Sequence, residues 1–171
     1  MPLSLFWTGA TTLPVSSDSL RADTLTGLKP SEAASLPARI GREPVTLGDL
    51  FRIEGDSSDG EHVLEGDLRH VRGIGSGMTS GSLIIEGDVG PYLGAAMTGG
   101  SITLNGSVPS WAGAEMRGGL LHIRGSAGDY LAAAEPGSRR GMRDGLVLVE
   151  GSVGLDAGLS MRRGLIALTG P

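Results

Sequence analysis

The sequence predicts an all-β fold, a right-handed parallel β-helix built from coils of about 19 residues. Five methionines carry this spacing, because 19, 19, 26 and 19 residues separate Met78, Met97, Met116, Met142 and Met161. Between them, apolar residues recur at every second position, which is the period of a strand and not of a helix. A short repeat with strand spacing is typical of a solenoid whose coils stack one above another.

Glycines enclose each of these methionines. The third residue after every one of them is glycine, and so is the third residue before four of them. The exception is Arg139, three positions before Met142, where we expect an insertion within residues 128–141 to interrupt the pattern. Glycine permits tight turns, and the flexible thioether of methionine fills irregular interior space. We therefore expect the methionines to point inward at a bend and to pack on one another between coils.

A short alternating run follows each methionine, namely SLIIEG, SITLNG, LLHIRG, LVLVEG and LIALTG. The alternation predicts a strand with one face in the core. The residues expected to point inward are Leu83 and Ile85, Ile102 and Leu104, Leu121 and Ile123, Val147 and Val149, and Ile166 and Leu168. The closing glycine of the first four runs is followed by Asp or Ser, which indicates a turn.

Two regions are expected, an N-terminal cap over residues 1–45 and the β-helix over residues 46–171. The cap contains a candidate strand in PLSLFW and a short helix or turn in KPSEAASLPARIG, and it would cover the first coil, as the ends of solenoids require. Residues 47–56 and 61–81 resemble imperfect early coils. At the other end, Pro171 follows a strand directly, and proline is tolerated at a sheet edge. We expect another chain to cover this open end.

Composition disfavours several classes of protein. The 30 glycines argue against long helices in the second half, and the lack of cysteine excludes disulfides and thiolate metal sites. The net charge of −5, with scattered basic residues, argues against nucleic-acid binding. No apolar run approaches the roughly 20 residues of a membrane helix, and no secretion signal is present. A cytoplasmic protein that binds neither nucleic acid nor membrane is expected.

The sequence offers no catalytic or metal site. His62, His70 and His122 lack the spacing of metal ligands, and the serines lack a paired base, so structural roles are favoured. A column of aspartates follows the closing glycines of successive runs, at Asp56, Asp67 and Asp88, and serine replaces them in later coils. Stacked acids can hold a cation, but Asp and Ser both suit turns that bond the backbone, which is the favoured interpretation.

One outward column carries charge. The residues that follow the last three methionines are Arg117, Arg143 and Arg162, which would stack about one coil apart. Glu115, Asp144 and Glu150 would neutralise these arginines in one interpretation. In the other, the column binds an anionic partner, either an acidic subunit surface or a polyacidic substrate tail. The further residues expected to extend this surface are Asp129, Tyr130, Arg139 and Arg140 of the insertion and Trp111 of a turn.

The repeat G-x-x-M-x-x-G, with its Gly-Asp-Val and Gly-Ser-Val turns, resembles the C-terminal β-helix of the glutamate synthase large subunit. It is more similar to the C subunit of the formylmethanofuran dehydrogenase family, because the MPLSL start and the stretch VTLGDLFRIEGD also fit. The catalytic domains of glutamate synthase would find no room in 171 residues. Bacterial members of this family form a formyltransferase/hydrolase complex without molybdenum or tungsten, and the Ala- and Gly-rich composition favours that version.

The resemblance implies a non-catalytic scaffold subunit, in a complex that moves a formyl group between tetrahydromethanopterin and a methanofuran-type carrier and releases formate. Its implied partners are a formyltransferase subunit and a metal-dependent amidohydrolase-like subunit, and this chain would itself bind no cofactor or metal. Methanofuran-type carriers have glutamate-rich tails, which the arginine column would suit. Relatives have further coils beyond the end of this sequence.

Two alternatives remain open besides the C subunit of a molybdenum or tungsten dehydrogenase. A stand-alone β-helix enzyme acting on polysaccharide would need clustered acids and aromatic residues in a groove, and the sequence has only two each of Trp, Tyr and Phe. A self-associating structural protein would need an exposed strand edge, which the cap and Pro171 would partly block.

Overall fold

The structure, a computed structural model, describes residues 2–9 and 11–170, so that Pro171 and the prediction made for it lie outside the described residues. Strands dominate this part of the chain, with three short helices, α1 (Ala22–Leu25), α2 (Pro30–Ala34) and α3 (Leu47–Leu50). The strands are β1 (Leu3–Trp7), β2 (Val15–Ser16), β3 (Pro37–Ile40), β4 (Glu43–Thr46), β5 (Phe51–Glu54), β6 (Glu61–Glu65), β7 (Val71–Arg72), β8 (Ser82–Glu86), β9 (Ser101–Asn105), β10 (Val108–Ser110), β11 (Leu120–Ile123), β12 (Ala127–Asp129), β13 (Leu146–Val149) and β14 (Leu165–Leu168). The prediction of an all-β fold is confirmed.

The main sheet has eight strands in the order β14-β13-β11-β9-β8-β6-β1-β5. From β1 to β14 every pair is parallel, and from β6 onward the register joins residues one repeat apart, as in Leu83 opposite Ile102 and Ile102 opposite Leu121. Alternate residues are buried, so the inward positions predicted for β8, β9, β11 and β13 are confirmed. In β14 the pattern weakens, since Leu168 is 53% exposed where no further strand covers it among the described residues.

The N-terminal segment enters this sheet. The predicted strand in PLSLFW is present as β1, which lies between β6 and β5, parallel to the first and antiparallel to the second. The expectation that residues 47–56 form an early coil is therefore wrong for β5. Its place beside β6 is taken by β1, whose Leu3 and Leu5 are buried, and β5 pairs with the remaining edge of β1. The predicted short helix is present as α2.

The packing at the bend that contains the methionines explains why glycine is needed there. Met78, Met97, Met116 and Met142 are fully buried, as predicted. The methyl group of each lies against the glycine three residues after the methionine of the next repeat. A Cβ added at Gly100 would lie 2.9 Å from the Met78 methyl carbon. The same Cβ would lie 2.7 Å from the Gly81 carbonyl oxygen, which cannot move aside as a methionine methyl can, so glycine is needed for space as well as for its positive φ.

In the fourth repeat, the residue that takes the place of the glycine before the methionine is not the one that was expected. Ala132, and not Arg139, takes it, because its amide donates to Ala112 O as the amide of Gly113 donates to Leu93 O. Ala132 has the same left-handed backbone, with φ of +56°. The seven extra residues therefore lie between Ala132 and Met142, and we call residues 133–141 the inserted loop.

None of the short helices in the described residues has the length or apolar character needed to cross a membrane.

Candidate functional site

Three arginines form a stacked column outside the methionine bend, as predicted. Backbone hydrogen bonds set the stacking, because Arg117 N donates to Met97 O at 2.7 Å, Arg143 N to Met116 O at 2.8 Å and Arg162 N to Met142 O at 2.7 Å. We call Arg117, Arg143 and Arg162 the arginine column. Neighbouring positions in such a stack are about 4.8 Å apart, which is close for like charges.

The acids expected to neutralise this column bind elsewhere. Glu115 accepts hydrogen bonds from Glu135 N and Ser138 Oγ, both at 3.1 Å. Asp144 accepts from the amide of Gly145. Glu150 lies 2.8 Å from His122 Nε2 and 3.8 Å from Arg124 Nε. Within residues 2–9 and 11–170 the column forms no ion pair, and the three acids make their contacts elsewhere, so local neutralisation stays a prediction.

Three further arginines enlarge this basic surface. Arg139 and Arg140 of the inserted loop are exposed, as is Arg163, and Arg162 Nη2 donates to the Arg139 carbonyl at 3.3 Å. The Nε of Arg143 is buried and has no hydrogen-bond partner among the described residues. A buried donor without a partner costs about 1–3 kcal/mol. The arrangement is suited to an anion.

Three aromatic side chains form a second column at another turn. Tyr92 and Trp111 have ring centroids 5.7 Å apart, and Trp111 and Tyr130 are 4.4 Å apart with nearly parallel planes. We call Tyr92, Trp111 and Tyr130 the aromatic column. Trp111 and Tyr130 were expected to lie on an interaction surface, and the structure places them together here. The predicted surface did not include Tyr92, although the 19-residue spacing of all three is visible in the sequence.

The aromatic column has strained backbone. Its three residues have φ of +68°, +60° and +62°, a region that normally requires glycine. Gly73 holds the equivalent position one repeat earlier, with φ of +74°. Left-handed backbone costs roughly 1–2 kcal/mol per residue, whereas each ring pair contributes about 0.5–1.5 kcal/mol beyond its buried area. Stacking of two ring pairs therefore does not offset the strain of three such residues.

The Asp and Ser column forms hydrogen bonds between repeats. Asp88 Oδ1 accepts from Ser107 N at 2.9 Å, Ser107 Oγ from Ser126 N at 3.0 Å and Ser126 Oγ from Ser152 N at 3.1 Å. The interpretation that these side chains form hydrogen bonds with the backbone is supported. From Asp88 onward, the amide that donates the hydrogen bond lies in the next repeat. In the described part of the chain, no group of three His, Asp or Glu side chains is placed to hold a metal.

Asp56 and Asp67 have local partners. Asp56 accepts hydrogen bonds from the amide and hydroxyl of Ser58, which lower the pKa of its carboxyl. Arg69 forms two hydrogen bonds with Asp67 and lowers the pKa of that carboxyl to about 2. Both aspartates therefore serve turns, and they do not converge with Asp88 on one point.

The three histidines lie apart. His62 is fully buried in β6, and its Nε2 lies 3.0 Å from Thr26 Oγ1. Burial lowers the pKa of His62 because the charged ring loses its hydration. His122 contacts Glu150, and His70 is exposed. The hydroxyl beside His62 belongs to Thr26, which donates to Ala22 O at 2.7 Å, so this contact joins β6 to α1.

Comparisons with known proteins give the family context. No protein-family model matches the sequence. It is 42% identical over 79 residues to the C subunit of the molybdenum-containing formylmethanofuran dehydrogenase 1 of Methanothermobacter marburgensis, over 46% of this chain and 20% of the relative. It is 41% identical over 69 residues to the C subunit of the formyltransferase/hydrolase complex Fhc of Methylorubrum extorquens, over 40% of this chain and 26% of the relative.

A solved structure extends the likeness to nearly the whole chain. The crystal structure of the formyltransferase/hydrolase complex from Methylorubrum extorquens, in complex with methylofuran, contains a chain that matches with a TM-score of 0.88 and 34% identity. The match covers 95% of this chain and 61% of that one. The chain is a homologue of these C subunits. The resemblance expected from the G-x-x-M-x-x-G repeat is thereby confirmed, although the matched region spans only part of each relative.

Proposed function

We propose that this chain is a subunit of a formyltransferase/hydrolase complex, which moves a formyl group between tetrahydromethanopterin and a methanofuran-type carrier and releases formate. The observation that carries this proposal is the match to a chain of such a complex over 95% of this chain, at 34% identity. The relative was crystallised with methylofuran, a carrier of the proposed type.

In this proposal the chain is a non-catalytic scaffold, and partner subunits of the formyltransferase and metal-dependent amidohydrolase types perform the chemistry. It binds no cofactor or metal of its own. The contacts of its polar side chains support a structural role. His62 is buried against Thr26, and Ser107 and Ser126 accept hydrogen bonds from the next repeat.

We also propose that the chain from β6 to β14 winds as a right-handed parallel β-helix, and that the N-terminal segment with β1 and β5 is its cap. The parallel register of the main sheet, one repeat per strand, supports this winding. A second parallel pair, β10 with β12, joins Val108 to Ala127 and so has the same 19-residue offset. Parallel strands joined by a crossover in one sheet are almost always connected in the right-handed sense.

The proposed role of the arginine column is to bind an acidic chain, either the glutamate-rich tail of the carrier or an acidic surface of a partner subunit. Two observations support it. The column stacks in register, and it forms no ion pair within the described residues. Guanidinium groups bind carboxylates through two parallel hydrogen bonds.

Gentle affinity purification from the native cell, with mass spectrometry of the co-purifying chains, tests the assembly. We expect a formyltransferase and an amidohydrolase-like subunit in fixed ratio. A molybdenum or tungsten subunit would instead assign the chain to a formylmethanofuran dehydrogenase, the second candidate, which the 42% identity to the molybdenum enzyme favours. Recovery of the chain alone would overturn both assignments.

Replacement of all three arginines of the column by Gln in the assembled complex tests the role of the column. We expect a weaker apparent affinity for the glutamylated carrier if the tail binds here, or loss of one subunit if an acidic partner does. Arg42→Gln is the matched control, because Arg42 is exposed and lies in the turn between β3 and β4. Unchanged affinity with intact assembly would remove both roles.

A further inference from the structure

The aromatic column ends differently on its two sides. On one side the guanidinium of Arg72 lies over the ring of Tyr92, 5.4 Å from its centroid. On the other side the equivalent position in the next repeat is Asp156, since Tyr130 N donates to Leu155 O, and Asp156 adds no ring. The stack therefore has a cation at Tyr92 and none at Tyr130 among the described residues.

Two cavities follow this column. One, of about 310 Å³, is lined by Trp111, Tyr130, the inserted loop and Leu159. The other, of about 210 Å³, is lined by Arg72, Tyr92 and other residues. Glu135 lines both cavities. We call the cavity that is lined by Trp111 and Tyr130 the aromatic groove.

The inserted loop is held over the groove by an acid. The carboxylate of Glu115 accepts hydrogen bonds from Glu135 N and Ser138 Oγ and has no cationic partner among the described residues. The carboxylate of Glu135 has neither an ion pair nor a hydrogen bond in this part of the chain, and its residue is exposed. The groove thus places the outer face of Tyr130 near the carboxylate of Glu135, which has no cationic partner among the described residues.

This combination suits a cation with a flat apolar body. Ring faces attract cations, and guanidinium stacks on them more readily than ammonium does because it is planar and weakly hydrated. The molecule uses this contact twice itself, with Arg72 over Tyr92 and Arg52 over Phe6 at 4.6 Å. The arginines of the inserted loop lie in its second half, where the Arg139 carbonyl contacts Arg162 of the arginine column.

We propose that the aromatic groove binds an arginine-bearing segment of a partner polypeptide, with the guanidinium on the face of Tyr130 that Trp111 does not cover and paired with Glu135. The groove lies apart from the arginine column in its residues and is opposite in charge. The inserted loop, which occurs in one repeat only, forms one wall and so makes this a single site on an otherwise repetitive surface.

The test uses the full chain and the probe acetyl-Gly-Arg-Gly-amide, followed by the Trp111 indole N–H signal in NMR spectra, which Trp7→Phe distinguishes from that of Trp7. The same peptide with citrulline, which is isosteric and neutral, is the control probe. We expect the arginine peptide to shift the Trp111 signal in a saturable way and to bind about fivefold more tightly than the citrulline peptide, which is the scale of an exposed cation–π contact with a nearby carboxylate.

Two variants locate the contact. Glu135→Gln is expected to reduce binding about fivefold, and Tyr130→Asn, which keeps a residue that tolerates left-handed backbone, to abolish the shift. Glu43→Gln, an exposed acid in β4 outside both cavities, is the matched control and should bind as the parent does. Equal binding of the two peptides, or an unchanged Glu135→Gln, would overturn the proposal.

Sedimentation at rising concentration separates a foreign partner from a second copy of this chain. We expect the chain not to associate through this groove. Self-association that is lost in both Glu135→Gln and Tyr130→Asn would assign the groove to a second copy and overturn the proposed partner. All these outcomes are independent of which other proteins are recovered with the chain from the cell.

Discussion

The first and last repeats place the same residue types at equivalent positions but bury them differently. Met78 is fully buried, and the amide of Ala22, at the start of α1, lies 3.3 Å from its sulfur. Met161 is only half-buried. Of the large hydrophobic residues that are exposed in the described chain, four of five lie in the last repeat, at Leu155, Leu159, Leu165 and Leu168.

The burial of a side chain in this fold thus depends on the repeats or covering elements that lie on both sides of it. The N-terminal segment covers one end of the stack, with β1 and β5 in the sheet and α1 over the methionine bend. In the described residues nothing equivalent lies beyond β14. The repeat pattern sets which side chains turn inward, and the covering element determines how much burial stabilises them.

The largest predicted effect is a difference between two methionines of the same column in the stability that is lost when each is replaced by alanine. Met116→Ala removes a fully buried side chain between two repeats and should lower the free energy of unfolding by about 2–5 kcal/mol. Met161→Ala removes a half-buried one and should cost about 1 kcal/mol, because less apolar area is lost. Urea unfolding followed by circular dichroism measures both. Equal losses would show that the last repeat is as well packed as the middle one.

The methionine spacing and the alternating runs were sufficient to predict the interior. They identify Leu83, Ile102 and Leu121 as inward and Arg117 as outward, because the strand period and the repeat leave no other arrangement. The place of β1 could not be predicted in this way, since nothing local to PLSLFW specifies pairing with residues about 60 positions away.

The sequence predicted which arginines of the candidate site stack on one another. It did not predict which groups the neighbouring acids contact. The arginine column follows from the repeat, whereas the partners of Glu115 depend on the conformation of the inserted loop. That loop occurs once, so no comparison between repeats reveals its path. The aromatic column was missed because a turn position with positive φ is expected to hold Gly, Asn or Asp, and not Trp.

The next effect compares two glycines with the same backbone. Gly119 and Gly137 both have φ of +86°, but a Cβ at Gly119 would lie 2.9 Å from both the Gly100 carbonyl oxygen and the Met97 methyl carbon, and at Gly137 it would meet nothing within 4 Å. Gly137→Ala should cost about 1 kcal/mol from backbone strain alone. Gly119→Ala should cost about 1–3 kcal/mol more because of overpacking.

Thermal unfolding of the two glycine variants, with the parent chain beside them, measures the difference. If both alanine variants lose the same stability, the close approach of the preceding repeat, through Met97 and the Gly100 carbonyl, is not what requires glycine at position 119.

The third effect concerns the covered end and depends on pH. His62 faces Leu3 and Leu83 in neighbouring strands, and burial lowers its pKa below the ordinary value near 6.5. The unfolded chain therefore binds a proton that the folded chain excludes. Stability is complete above about pH 6.5 and falls as the pH drops below it, by at most about 1.4 kcal/mol per pH unit.

His62→Leu continues the apolar column of Leu3 and Leu83 and should flatten this part of the profile, although it removes the contact with Thr26. His70→Leu is the control, because His70 is exposed. Urea midpoints between pH 5 and pH 8 provide the measurement. A profile that is unchanged in His62→Leu would assign the acid sensitivity to the carboxylates.

The weakest effect compares two rungs of the serine ladder. Ser107 Oγ accepts from the partly buried amide of Ser126, and Ser126 Oγ accepts from the exposed amide of Ser152 in the last repeat. Ser107→Ala should cost about 1 kcal/mol, because the Ser126 amide loses its partner where water reaches it poorly. Ser126→Ala should cost less, since water replaces the hydroxyl at Ser152. Hydrogen exchange at the two amides distinguishes these cases directly. Faster exchange at Ser126 in the first variant, with little change at Ser152 in the second, would show that the last repeat already opens locally in the parent chain.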